Sequence, residues 1–428
     1  VKNAISCTLF GILLLLFIGC TQNNKKTATQ LASAGPELLS ASHSKIPPQE
    51  LSYYLTRVKS SLDSMFRRTR LNGSVLVAKH GQIIYETYNG YWNPRDTKNS
   101  DTITPSTPFH LASISKTFTG MAILKLHEQG FLDIDDSVSK YLNKFPCEGV
   151  TIRTLLNHRS GIPKYDHYME NMGWDKRKLV TNQDVLDFLI ARHKEIPISR
   201  PDRAFSYSNT NYALLALIIE KVSGMTYAQY LKHAFFDPLG MKDTYVFTLA
   251  DSARALPSYY YNGRPYKFDY LDLVYGDKNI YSTVRDLLKW DQALRSDTMF
   301  KSQTLEAAYM PYSFEKPGTH NYGLGWRMYC LKNGKKLIYH NGWWHGNRTA
   351  YYRLLDEDVT IIALCNNDAK RIYNVKEMAD IFGDYMQKRD QADEGDLTIK
   401  RSTRKRHIAT VSSNKKKSFN ASLAAAKK

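Results

Sequence analysis

Strand-type patterning sits at both ends of the folded part of this chain, and helical patterning fills the middle. Residues 74–78 and 82–88 are rich in β-forming residues and flank His80-Gly81, which predicts a hairpin. Residues 336–340, 349–355 and 359–365 have the same character near the far end, and their short links predict an antiparallel meander. Between them lie helical stretches at 113–129, 212–223, 226–236 and 285–295, with Gly130 and Gly224 as stop signals. Residues 49–68 place Leu51, Tyr54, Leu55, Val58, Leu62, Met65 and Phe66 on one helical face, and a last helix is predicted over about 375–389. The economical solution is one antiparallel sheet built from both chain ends, flanked by helices, with a mostly helical inserted subdomain. That is an α/β fold of the α+β type.

Composition agrees with a large folded unit. The 428 residues are 43% hydrophobic and 12% aromatic, which excludes wholesale disorder. The net charge of +18 is concentrated: residues 397–428 hold ten Lys/Arg and no acid. The body is only mildly basic, so no nucleic-acid partner is expected. No CxxC pair, HExxH motif or Cys/His cluster occurs. No metal, other cofactor or disulfide framework is therefore expected. Cys147, Cys330 and Cys365 are expected to be buried thiols.

The ends carry different signals. Lys2, an apolar run from Leu9 to Ile18 and Gly19-Cys20 describe an export signal over 1–20. The run is shorter than the roughly 20 residues of a membrane-spanning helix. Phe17-Ile18-Gly19-Cys20 resembles a bacterial lipobox, which makes Cys20 a lipidation site and the chain a lipid-anchored protein of the cell envelope. A cleaved signal without acylation is the alternative. Residues 21–48 are expected to be a flexible linker, 49–390 the folded domain and 391–428 a basic, disordered tail.

Three short motifs can carry chemistry. Phe109-His110-Leu111-Ala112-Ser113-Ile114-Ser115-Lys116 leads into the first long apolar helix and puts Ser113 and Lys116 on one helical face. An adjacent amine can take the proton of a serine hydroxyl and make it a nucleophile. A helix-cap serine beside a surface lysine is the plainer reading of the same spacing. Tyr207-Ser208-Asn209 precedes another apolar helix; a phenol can relay a proton and an amide can bind a carbonyl. His340-Asn341-Gly342-Trp343 ends a β-rich run. There a strand edge can hold an extended substrate, Gly342 permits close backbone approach, and His340 offers a polar side chain. Taken singly, this third motif is an ordinary strand end and turn.

Taken together the order is specific. Ser-x-x-Lys, Tyr-x-Asn 94 residues on, and His-x-Gly a further 133 residues on resemble the serine β-lactamase and penicillin-binding-protein superfamily, in its class C-like branch. The likeness runs from about 50 to about 388, through Thr154-Leu-Leu-Asn-His-Arg-Ser-Gly161, residues 207–217, Asp237-Pro-Leu-Gly-Met241 and the stretch 280–287. The resemblance implies a serine hydrolase that cleaves amides or esters through an acyl-enzyme. Ser113 would be the nucleophile, and Lys116 and Tyr207 would share acid and base duty. Asn209, His340 and Gly342 would bind substrate, and the backbone N–H groups of Ser113 and Trp343 would form the oxyanion hole. D-amino-acid peptides and small esters are the substrate classes expected. A silent binding protein for wall peptides and a true β-lactamase are the alternatives.

Three departures stand out. His340-Asn341-Gly342 replaces the Lys-Thr-Gly of true β-lactamases, Trp343 and Trp344 follow where small residues are usual, and Asn279 stands where Gly often precedes Tyr-Ser-Thr. The Tyr-rich stretch 258–266, with Tyr270 and Tyr275, either lines a substrate groove or forms an exposed connection.

Overall fold

The computed structural model describes residues 45–66 and 71–386. The expected export signal with Cys20, most of the linker and the basic tail lie outside the described residues.

The two chain ends do meet in one sheet. Its strands are β1 (Gly73–Lys79), β2 (Gln82–Asn89), β6 (His320–Tyr322), β7 (Arg327–Cys330), β8 (Lys336–Trp344), β9 (Asn347–Leu354) and β10 (Val359–Cys365). Their order is β2-β1-β10-β9-β8-β7-β6, and every pairing is antiparallel. The join is β1 on β10, from Gly73 opposite Cys365 to Lys79 opposite Val359. His80 and Gly81 both have positive φ, as a two-residue type I′ hairpin requires. The short strands β6 and β7 have no alternating pattern of their own, and the sequence does not announce them.

The sheet is buried on both faces. Leu76, Ile362 and Leu364 point into the larger core with the helical insertion, whereas Val75, Val77, Ile361 and Ala363 pack under α1 (Pro48–Phe66) and residues 370–381. That explains why β10 is buried along its whole length and apolar except at Thr360, in an antiparallel sheet, where one face often meets water.

The insertion contains α2 (Ser115–Glu128), α3 (Ile152–Leu156), α4 (Tyr165–Asn171), α5 (Asn182–Arg192), α6 (Asn209–Ser223) and α7 (Tyr227–Leu231). Further along come α8 (Val284–Ala293) and α9 (Ser302–Ala308). A small sheet, β3 (Phe109–His110), β5 (Ile280–Ser282) and β4 (Tyr245–Val246), pins the residues just before Ser113 to the stretch before α8. Gly224 ends α6 in the left-handed conformation.

Three expectations change. Ser113 lies in a 3₁₀ turn, Ala112–Ile114, just ahead of α2 and not inside the helix. The helix expected over 226–236 divides into α7 and a π-turn, Lys232–Phe236. The last element is a 3₁₀ run, Lys370–Ile381, and not an α-helix from 375. Its buried Ile372, Val375 and Met378 recur every three residues, the period of a 3₁₀ helix.

Candidate active site

The site forms where the turn before α2, the loop before α6 and the edge of β8 converge. Lys116 is fully buried on the first turn of α2. Its Nζ donates to Ser113 Oγ at 3.1 Å and to the Asp277 carbonyl at 2.7 Å. The same nitrogen lies 5.1 Å from the centroid of the Tyr207 ring. Ser113 and Tyr207 are half-buried. Burial pushes the Tyr207 phenol up, but Lys116, Arg327 and hydrogen bonding to Ser113 and Lys116 together bring it below its ordinary value. Arg327, on β7, stands 4.8 Å from the same ring and was not singled out from the sequence.

The turn carrying Ser113 is held from outside. Ala112 has φ +50, a left-handed conformation rare for a residue with a side chain. Its N–H donates to His110 Nδ1 at 3.0 Å, and His110 Nε2 lies 2.9 Å from Asn279 Oδ1. Because Nδ1 accepts, Nε2 carries the proton and donates to Asn279. Burial lowers the His110 pKa to about 4, so the ring is neutral at ordinary pH. Asn279 has φ +76, which explains why glycine suits this place, and its amide donates to the Asp272 and Val274 carbonyls.

The loop before α6 is held by His158, from the stretch Thr154–Gly161. His158 Nδ1 accepts the Ser208 N–H at 3.2 Å, its carbonyl accepts from Ser206 N, and its ring lies 4.3 Å from that of Tyr207. Burial keeps its pKa well below the usual imidazole value. Asn209 is the first residue of α6 rather than a loop residue. It makes no hydrogen bond to Lys116, and its enclosed Oδ1 has no protein partner.

On the third side, β7 pairs with β8 only as far as Tyr339, so residues 340–344 have no strand partner on the β7 side, and the Gly342 carbonyl accepts from the Tyr373 hydroxyl at 2.7 Å. Gly342 brings this edge against the turn, where a Cβ would stand 3.0 Å from Ala112 Cβ. Trp343 follows on the same edge and is 53% exposed. His340 corrects an expectation. It is fully buried, with Nδ1 2.8 Å from the Asn341 carbonyl and Nε2 3.2 Å from the Tyr322 hydroxyl. Burial, with Arg327 and Lys116 nearby, holds its pKa well below the usual value. It therefore presents no cation to a substrate.

Beside the site, a cavity of about 480 Å³ is walled by Phe247, Tyr266, Phe268, Tyr281 and Trp344, with the His345–Asp272 pair at its side. The Tyr-rich stretch is thus divided: Tyr266 faces the cavity, Tyr259 is buried and Tyr261 is exposed. Cys147 and Cys365 are buried free thiols, and Cys330 is half-exposed. No group of His, Cys, Asp or Glu that could hold a metal ion occurs among the described residues.

Ser113, Lys116 and Tyr207 meet here in an arrangement that suits serine hydrolase chemistry. The chain belongs to the Beta-lactamase family, whose sequence pattern matches residues 60–380. It is 34% identical to penicillin-binding protein 4* of Bacillus subtilis (strain 168), over 74% of this chain and 72% of that protein. The octameric penicillin-binding protein homologue from Pyrococcus abyssi superposes with a TM-score of 0.65 at 26% identity, covering 76% of this chain and 77% of that one. The D-amino acid amidase of Ochrobactrum anthropi SV3 shares the fold at 23% identity, with a TM-score of 0.62 over 77% of this chain and 97% of that one. The enzyme is a serine hydrolase of the β-lactamase/DD-peptidase type that works through an acyl-enzyme.

Proposed function

We propose that Ser113 is the nucleophile, Tyr207 its principal base, and Lys116 the ammonium that holds both. The observation that carries this is Lys116 Nζ, 3.1 Å from Ser113 Oγ, beneath a tyrosine whose pKa is lowered. Ser113 Oγ attacks the substrate carbonyl carbon and its proton passes to the Tyr207 oxygen. The oxyanion is met by the backbone N–H groups of Ser113 and Trp343, each worth about 3 kcal/mol. Collapse expels the amine or alcohol, which takes the proton back from Tyr207. Water then repeats the sequence on the acyl-enzyme.

The substrates are peptides with D-amino acids or small esters. The Asn209 amide, whose Oδ1 has no protein partner, and the edge at 340–344, which β7 leaves without a strand partner, suit an extended, amide-bearing substrate. The Bacillus subtilis relative is named for binding penicillin, which supports a site that accepts an amide-bearing acylating ligand. The buried, neutral His340 argues against strong β-lactam turnover. A silent binding role is disfavoured because Ser113, Lys116 and Tyr207 are all present and mutually in reach.

A fluorophosphonate or fluorescent penicillin should label wild type and leave Ser113→Ala unlabelled; equal labelling of both would overturn the assignment. A panel of D-amino-acid peptides, p-nitrophenyl esters and nitrocefin then orders the substrate classes, with nitrocefin expected slowest. The Leu9–Ile18 run and Cys20 also support export and lipid anchoring in the cell envelope. Mass spectrometry of the membrane fraction should find an acylated Cys20.

A further inference from the structure

Residues 272–280 form one continuous floor under the catalytic segment. The Gly276 carbonyl accepts from Thr119 Oγ1 at 2.6 Å, the Asp277 carbonyl from Lys116 Nζ at 2.7 Å, and the Ile280 N–H donates to Ser115 Oγ at 3.1 Å. In the middle of this floor Asp277 and Lys278 are 1% and 2% exposed. Lys278 Nζ donates to the Tyr165 hydroxyl at 2.5 Å and stands 3.5 Å from Asp277 Oδ2, which also accepts from Tyr165 at 3.1 Å. Asp277 Oδ1 is enclosed without a partner.

A buried ion pair adds little stability, because desolvation offsets most of the attraction. The pair therefore calls for another reason, and its position supplies one. In formal charge, Lys116 and Lys278 outweigh Asp277 by one. A phenolate at Tyr207 or an oxyanion at Ser113 would neutralise that excess. We infer that Asp277 and Lys278 are positioning residues which set, through Lys116, the pH at which the Ser113 proton can be taken. This rests on the roles proposed above for Ser113, Lys116 and Tyr207.

The surroundings leave these two charges as the adjustable ones. Burial raises the Asp277 carboxyl, opposed by Lys278 and Lys116, and Asp166 on α4 adds to the rise. Tyr165 and Tyr212 are pushed well above the ordinary phenol value by burial, so they stay neutral. His158 and His340 are held neutral in the same way. Lys164 lies 5.9 Å from the Tyr207 ring and Arg327 4.8 Å, and neither is changed by the substitutions below.

The test is the rate of Ser113 labelling by a fluorophosphonate as a function of pH, on the full chain. Asp277→Asn removes a negative charge and should move the acid limb down by about one pH unit. Lys278→Met removes a positive charge and should move it up by a similar amount. Tyr165→Phe changes no charge and should leave the limb in place, whatever it does to the maximal rate. A merely structural role would lower rates without shifts of opposite sign. Limbs that stay fixed, or that move together, overturn the inference. Asp277→Asn preserves volume, so it decides alone if Lys278→Met does not fold. Labelling that persists in Ser113→Ala overturns the nucleophile as well, whereas fixed limbs with labelling confined to Ser113 overturn this inference only.

Discussion

A methyl group on Gly342 would overlap the carbonyl oxygen of Leu111 and the hydroxyl of Thr349. Thr349 Oγ1 itself donates to that carbonyl at 2.8 Å, so β9, β8 and the nucleophile turn are locked in one stack. Gly342→Ala must push β8 away from Ser113. We expect at least about a 10²-fold fall in ester hydrolysis, with about 1–3 kcal/mol lost in urea unfolding. Near-wild-type turnover would show that the approach of β8 is not needed.

Tyr207→Phe removes the proposed base and keeps the ring. The acylation rate should fall by about 10²–10⁴-fold. In wild type, activity should rise with pH through a pKa below the usual phenol range, because Lys116 and Arg327 favour the phenolate against burial. That limb should vanish in the variant, which stopped-flow acylation across pH would reveal.

His110 contributes a separate acid sensitivity. Its folded pKa, lowered to about 4 by burial, lies below the unfolded value, so the unfolded chain binds the extra proton first. Stability should fall as pH drops from about 6.5 toward about 4, by about 3 kcal/mol in total from this group. Protonation also ends the acceptance of the Ala112 N–H by Nδ1. Urea titrations of wild type and His110→Gln should converge as the pH is lowered through this window.

Asp291 ties α8 to the sheet. Its carboxylate takes Arg353 Nε at 2.5 Å and Arg295 Nε at 2.8 Å, and Arg353 is fully buried. Burial opposes ionisation, but Arg295 and Arg353 win and hold the carboxyl well below the carboxylate range. Asp291→Ala leaves a guanidinium buried and unpaired, which should destabilise by about 3–5 kcal/mol. The wild-type contribution is present above the unfolded pKa and is lost as pH falls through the folded one. Asp291→Ala should therefore lack that component of acid unfolding, followed by circular dichroism.

The sheet was readable in advance because its signals are local. The turn residues His80 and Gly81 and the apolar runs of β1 and β10 each need only their immediate neighbours to be recognised. Gly224 marked the end of α6 for the same reason. Strands β6 and β7 escaped because three or four residues carry no period. Ser113 was assigned to the helix because the helical pattern runs back through it. Its displacement into a turn depends on Ala112, whose left-handed backbone is held by His110.

The order and identity of Ser113, Lys116 and Tyr207 follow from the amino acids alone, since nucleophile chemistry depends on residue type. Their surroundings do not, because burial and hydrogen-bond partners come from residues far along the chain, 161 positions away for Lys116 and Asp277. Nothing near His340 in the chain says that it is sealed behind Tyr322, and nothing near Lys116 says that Asp277 lies beneath it. Three-dimensional packing assigned those partners.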